Sequence, residues 1–415
     1  MNKNSYIFNH DDRKMCSGCG ACAQICSHGA IAMQEDSEGF LYPNVNTLKC
    51  VDCGLCDRIC PEVNNHQENN DFQQSYYLAT NIDKSFSKDC ATIGVCSMLS
   101  QWIIGQQGIC FGVMLNENNW KSEHICVINK LDIDKIKNSK YVQSDTKNTY
   151  KQTKQLLLDN RNVLYIGTPC QIAGLKAYLR KDYINLYTID LICHGTYSYK
   201  LLQKEVLYWE KTLNGKVSNF RFRSKKQSPW SDGGIINFDL TNSKGKIVHI
   251  ERPGICSPTY RAYAYSPDDV NYNLRESCYS CTFRSSKRYG DLTVGDAWGI
   301  DKYKKEVFTK NNKQTGISLV FCNTSKGEFL LRQIENQLIL TNMLKYEVFV
   351  QSALLPCNRY IPSSRYELYN KINEKEYQVL LSEILDVDFS LVYKKYKRKK
   401  FKLKFKRFIK RFFER

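Results

Sequence analysis

The chain has 415 residues, 60 of them Lys or Arg and 42 Asp or Glu, for a formal charge of +18. With 42% hydrophobic residues and only 9 Pro it can bury a substantial core, and its length suits two or three domains. No apolar run reaches the ~18–20 residues that cross a bilayer, and the opening MNKNSYIFNHDDRK lacks the apolar stretch of an export signal, so secretion and membrane spanning are both disfavoured.

Eight of the 19 Cys fall between Cys16 and Cys60, and the rest are scattered. Disulfide scaffolds are small, exported and rich in Cys throughout, so this distribution points to a reducing cytoplasm with thiolates used as metal ligands. Cys16, Cys19, Cys22 and Cys26 are spaced C-x2-C-x2-C-x3-C, and Cys50, Cys53, Cys56 and Cys60 repeat the run ahead of Pro61. This is the bacterial ferredoxin pattern, in which three close thiolates hold one 4Fe-4S cube and the fourth reaches its neighbour. The expected sets are Cys16, Cys19, Cys22 with Cys60, and Cys50, Cys53, Cys56 with Cys26. Gly18, Gly20 and Gly54 give the backbone room to approach the sulfides. Zinc ribbons also use paired C-x2-C units, but nothing about zinc asks for this four-Cys run twice. The first run is followed by Ser27 rather than Pro. Two clusters in one small fold imply one-electron transfer.

Residues 61–75, PEVNNHQENNDFQQS, are polar and read as a linker, so a ferredoxin-type domain is expected over 1–72 and a larger one from 76. Tyr76–Thr80 is a short apolar run, Gly94–Ile104 has helical spacing and Ile109–Leu115 reads as a buried strand. In Asn162–Ile192, VLYIG predicts a strand, Thr168-Pro169 a helix cap and first helical position, CQIAGLKAYLRK a helix, and INLYTIDLI the next strand. If those strands are parallel neighbours, Cys170 and Cys193 converge beyond their carboxyl ends. Cys278 and Cys281 form a further C-x2-C ahead of the strand GDLTVGD, so the four thiols can make one site. Other readings stand beside it: Cys170 as a nucleophile of lowered pKa, Cys193-His194 as a thiol with its base, Cys278 and Cys281 as a redox dithiol or half a zinc site. Cys90, Cys96, Cys110, Cys126, Cys256, Cys322 and Cys357 read as core filling.

KYVQSD (140–145), GTPCQIAGLKAYL (167–179), DLICHGT (190–196) and CYSCTFRSSKRYGDLTVGDAWGI (278–300) together resemble the family of beta subunits of deazaflavin-coenzyme-reducing hydrogenases and formate dehydrogenases. The resemblance spans roughly residues 76–360, and fusion to a two-cluster ferredoxin domain is an arrangement known in that family. It implies an iron-sulfur flavoprotein that binds FAD, carries a third 4Fe-4S cluster on Cys170, Cys193, Cys278 and Cys281, and exchanges electrons between a two-electron partner and one-electron carriers. The flavin converts a hydride into single electrons, which a cluster relay requires. The family's flavin contacts fall on KYVQSD, on the Thr-Pro-Cys turn and on a Ser-Ser-Gly-Gly loop. This implies Ser139, Lys140, Gln143, Ser144, Thr168 and Gln171 as cofactor-binding residues. The loop reads Ala91-Thr92-Ile93-Gly94 here, with Ile93 where the family has Gly. Asp291, Asp296 and Trp298 lie in a Gly-rich turn that is either beside the flavin or cluster or simply structural. Arg284, Lys287 and Arg288 are expected to be solvated.

A helical extension is expected over 361–393 and a basic tail over 394–415, which holds thirteen Lys or Arg and one acid. Phe401, Phe405, Phe408, Ile409 and Phe412 share one face of this amphipathic basic helix. It suits an anionic membrane surface; a solvated tail and nucleic-acid binding are its alternatives. The expected class is α+β: a small ferredoxin-like two-cluster domain, a larger mixed α/β flavin and iron-sulfur domain, and a basic helical tail. The expected function is an iron-sulfur flavoprotein oxidoreductase, cytoplasmic, and peripheral at the inner face of the membrane if the tail binds there. Its partner would be a redox protein or the reduced deazaflavin-type coenzyme. A non-catalytic electron carrier serving a partner enzyme is the alternative, with a nucleic-acid-binding protein third.

Overall fold

The first module is built from one hairpin and two short helices, each helix entered through a glycine. In this computed structural model, which describes residues 14–64, 72–226, 228–264, 271–357 and 359–398, Gly20 (φ 78°) precedes the helix Ala21–Ile25 and Gly54 (φ 65°) precedes Leu55–Arg58. Both glycines adopt the left-handed backbone that other residues resist. The hairpin pairs β1 (Ile31–Glu35) with β2 (Leu41–Val45). Residues 65–71, in the predicted linker, lie outside the described residues.

The larger unit follows with β3 (Ser75–Asn81), β4 (Ile109–Asn116), β5 (Lys121–Val127), β6 (Ser144–Asp145), β7 (Val163–Gly167) and β8 (Leu186–Leu191). Next come β9 (Gly215–Arg221), β10 (Ile235–Asn242) and β11 (Ile247–Pro253), then β12 (Leu292–Asp296), β13 (Ser318–Cys322) and β14 (Leu338–Met343). Nine of these strands form one mixed sheet in the order β14-β3-β13-β12-β8-β7-β4-β5-β6, and β11-β10-β9 form a separate antiparallel sheet. The centre of the large sheet, β4, β7, β8 and β12, is parallel. The mixed sheet with its helices bears out the α+β class.

The predicted strand-helix-strand unit is present: β7 and β8 pair in parallel with Gly167 opposite Asp190, and the helix Pro169–Leu179 connects them. Thr168 caps that helix reciprocally with Gln171, and Pro169 sits at its first position. Side chains along the central strands alternate between two cores. Leu164 and Cys110 face the helix Val95–Gly105, whereas Val163, Tyr165 and Phe111 face the helix Pro169–Leu179.

The first module contributes to two of the cores. Cys19, Ala21 and Ile59 join Tyr150, Ile172 and Leu175, while Phe40 and Tyr42 join the core between the second sheet and the helix Tyr199–Leu213. Leu368, Tyr369, Leu380 and Leu381 from helices Ser363–Lys371 and Tyr377–Leu385 fill that same core. The chain is helical again over 389–398, and the tail face from Phe401 to Phe412 lies outside the described residues. Among the described residues no helix is long and apolar enough to cross a membrane.

Candidate iron-sulfur and flavin site

The first module divides its eight thiols into two neighbourhoods. Burial pushes the Cys19 thiol well above its ordinary range, and the charges of Cys60, Cys22 and Cys16 push it the same way. Cys22 responds to burial and then to Cys16, Cys60 and Cys56. A separate concavity is lined by Cys26, Cys50, Cys53 and Cys56, with Cys53 exposed. The Ala30 backbone N–H donates to the Cys26 Sγ at 3.3 Å, a donor of the kind that stabilises a thiolate.

In the large unit, chain topology gathers the other four. Cys170 occupies the first turn after β7, and Cys193 stands two residues beyond β8. Cys278 closes a short 3-10 turn at Glu276–Cys278, and Cys281 follows it. Burial raises the pKa of all four thiols: Cys193 and Cys278 act on Cys170, Cys278 and Cys281 on Cys193, and Cys278 and Cys170 on Cys281. Among the described residues no three His, Cys, Asp or Glu groups close tightly around a single ion. Buried thiols that mutually repel gain stability as thiolates only around a positive core, so the donor set fits an iron-sulfur cube. Such a cube, when bound, supplies one-electron transfer.

The alternatives weighed for these residues find less support. His194 donates to or accepts from Asn271 at 3.1 Å and packs on Tyr263, and burial together with Arg359 and Arg284 holds it near 3. It is therefore a poor base for Cys193 near neutral pH. Arg284 is not solvated: it is buried, donates to the Cys357 Sγ at 2.9 Å and to the Ser352 carbonyl. Arg288 likewise pairs with Asp190 at 3.1 Å in the interior. Expecting loop arginines to be exposed fails here because both find buried acceptors. Cys90, Cys110, Cys256 and Cys322 are core residues, whereas Cys126 is exposed and Cys357 is half-buried.

The two thiol-bearing units share a seam. The helices Ala21–Ile25 and Pro169–Leu179 pack together, and a Cβ on Gly174 would stand 3.0 Å from the Cys19 Sγ. Tyr150 Oη donates to the Cys19 carbonyl at 2.9 Å and is also 2.8 Å from the Gln171 carbonyl. Gln143 Oε1 accepts from the Leu41 N–H at 3.0 Å and from Arg275 at 3.2 Å. Glu62 lies between the Cys60 and the Cys170 and Cys281 neighbourhoods, where burial pushes its carboxyl up to about 7. Sequence reasoning missed Glu62 and Arg275, since neither belongs to a spacing pattern.

The residues implied as flavin contacts fall into three places. Gln143 is in the seam. Ser144, Thr168 and Gln171 form one hydrogen-bonded group, in which Gln171 Nε2 donates to the Ser144 Oγ at 2.8 Å and Thr168 Oγ1 lies 3.1 Å from the Cys170 Sγ. Ser139 and Lys140 lie near Arg223, whose carbonyl accepts from Asn138. Arg223 Nη1 donates to Asp296 at 2.9 Å, Trp230 Nε1 donates to the same carboxylate at 2.8 Å, and Thr92 Oγ1 also reaches it. Trp230 and Trp298 stack at 4.1 Å. Ile93 is fully buried in the core with Met98 and Leu99, so its bulk points away from the loop surface. Asp291 is structural: it accepts from the Thr188 N–H and hydroxyl at 2.8 and 2.7 Å.

Fold and thiol sites together define an iron-sulfur electron-transfer protein of the oxidoreductase kind. The chain belongs to the family of coenzyme F420 hydrogenase/dehydrogenase beta subunits: the model of that family's C terminus matches residues 160–345, and a 4Fe-4S dicluster domain matches residues 15–64. It is 24% identical over 322 residues to an F(420)H(2) dehydrogenase component of Methanosarcina mazei, covering 73% of this chain and 82% of that one. It is 23% identical over 252 residues to the coenzyme F420-dependent sulfite reductase of Methanocaldococcus jannaschii, covering 55% of this chain and 38% of that longer protein. A chain of the F420-reducing [NiFe] hydrogenase complex from Methanosarcina barkeri aligns with 14% identity and a TM-score of 0.37, over 75% of this chain and 88% of that one.

Proposed function

We propose that the chain is a three-cluster iron-sulfur flavoprotein that relays electrons between a two-electron donor, met by FAD, and a one-electron partner protein. The observation that carries the reading is the convergence of Cys170, Cys193, Cys278 and Cys281 beside the first module's Cys19 and Cys60 neighbourhood. A third cluster there would stand next in line to the inner ferredoxin cluster. The second ferredoxin cluster, near exposed Cys53, would face a docking partner. The names of the relatives make a reduced deazaflavin coenzyme the donor of choice.

FAD would lie against Ser139, Lys140, Ser144, Thr168 and Gln171, with Gln143 at its seam side. Lys225 supports this region by donating to the carbonyls of Thr92 and Thr315, and burial lowers its pKa to about 8. The domain division is proposed as 1–72, 76–360, 361–393 and 394–415. Anaerobic purification with iron and flavin quantitation is the test: about 12 iron atoms and one FAD per chain are expected. Eight iron atoms would remove the large-domain cluster. Twelve without flavin would leave the non-catalytic electron carrier, which the engagement of Gln143 with Leu41 and Arg275 favours.

The basic tail is proposed to hold the protein peripherally at an anionic membrane surface, each basic residue contributing about 1 kcal/mol near the lipid. A chain lacking residues 394–415 is expected to keep its iron and to lose sedimentation with anionic liposomes. Failure of the full-length chain to sediment would discard the membrane role.

A further inference from the structure

Arg275 is 1% exposed, and its guanidinium has no carboxylate partner among the described residues. Its Nε donates to the Cys16 carbonyl at 2.7 Å and its Nη1 to Gln143, while its Nη2 is buried and unpartnered. The cation lies 3.9 Å from the centre of the Tyr42 ring. Its own backbone belongs to the other thiol set. The Arg275 N–H donates to the Thr196 carbonyl, three residues past Cys193, and its carbonyl accepts from the Cys278 N–H, both at 2.9 Å. One guanidinium thus reaches the Cys16 loop from a backbone that holds Cys193 and Cys278. Gly18 makes this approach possible, because a Cβ there would stand 3.2 Å from the guanidinium carbon and would collide with Gln143.

A buried cation with no carboxylate is costly unless another negative charge faces it. Cys16 and Cys278 supply such charges, and both raise the affinity of Arg275 for its proton. Glu62 senses the same cation but bonds Thr282 at 3.0 Å. The remaining neighbourhood differs in sign: among the described residues, the lining of the Cys26, Cys50, Cys53 and Cys56 concavity holds Asp52 and Asp57 and no Lys or Arg. An added electron is stabilised by a fixed positive charge close by in a dry interior and far less by one across solvent.

Resting on the three-cluster reading above, we propose that Arg275 is a positioning residue that joins the inner ferredoxin cluster and the large-domain cluster electrostatically, holding both at potentials where they accept electrons together. The outer cluster lies outside its field.

The test is a redox titration of the anaerobic full-length protein followed by electron paramagnetic resonance. In Arg275→Gln the reduced-to-oxidised ratio at a fixed potential is expected to fall about tenfold, ~59 mV for one electron, at the two clusters facing Arg275. The outer cluster serves as internal reference and is expected to stay put. Arg275→Lys retains the charge while losing the guanidinium's geometry, and its ratio is expected to stay within about twofold of the native one. An unmoved ratio in Arg275→Gln overturns the proposal, as does a fall in Arg275→Lys as large as the one expected for Gln. Should Arg275→Gln fail to fold, the Lys variant alone decides on the same criterion. Fewer than about 12 iron atoms in the native protein would instead overturn the three-cluster reading.

Discussion

Replacing Cys193 by Ala is expected to lower the iron content of the anaerobic protein by about four atoms and to abolish one of three cluster signals, leaving the ferredoxin pair intact. The expectation follows from chain topology. Cys193 stands beyond β8, beside the helix-start Cys170 from the neighbouring parallel strand, and it is buried with Cys278 and Cys281 acting on it. Three remaining thiolates leave one iron corner open, so the cube is exposed to exchange and loss. Electron passage from flavin to the ferredoxin pair would then slow by at least about tenfold, since the intermediate carrier is missing. Cys322→Ala is the matched control: that thiol is equally buried, but in a strand core among Val320 and Leu292. It is expected to cost about 1 kcal/mol or more of stability and no iron. Unchanged iron in Cys193→Ala would remove Cys193 from the ligand set and with it the large-domain cluster.

Part of this architecture is legible from local chemistry. The two C-x2-C-x2-C-x3-C runs are local because a cube takes three ligands from one loop. The strand-helix-strand unit around Thr168-Pro169-Cys170 is local because capping, proline at the first helical position and a continuous apolar strand each act within a few residues. What holds the units together is not local. Arg275 meets Cys16 from a position far along the chain, and Gln143 bridges Leu41 to Arg275. A single Arg or Gln has no period and no spacing, so such contacts leave no trace in the sequence. Arg284 and Arg288 show the converse: in a polar loop they read as solvated, yet Cys357 and Asp190 draw them inside. The helical extension reads as separate because its boundary is a change of pattern, although Leu368 and Leu381 fill a core shared with Phe40.

The same long-range logic gives the largest stability effect expected outside the thiols. Arg365 is fully buried and makes a paired contact with Glu38 of the first module, at 2.9 and 2.5 Å. Its Nε donates to the Leu274 carbonyl at 2.7 Å, and Glu276 lies 3.6 Å from its Nη1. Burial outweighs the guanidinium at Glu38 and leaves that carboxyl above its ordinary range, so the ion pair only partly offsets the cost of removing the carboxylate from water. Arg365→Leu keeps most of the volume and strands Glu38, and should therefore cost about 3–5 kcal/mol, read as a lower urea midpoint for the first unfolding transition. Removing both charges removes the stranded carboxylate. The double variant Glu38→Leu/Arg365→Leu is expected to recover at least half of the loss, because a well-packed apolar pair replaces a desolvated ionic one. Equal midpoints for the single and double variants would show that the Leu274 hydrogen bond, rather than the ion pair, anchors the first module to the C-terminal helices. A native midpoint in Arg365→Leu would show that the seam around Arg275 and Cys19 suffices to hold the module without them.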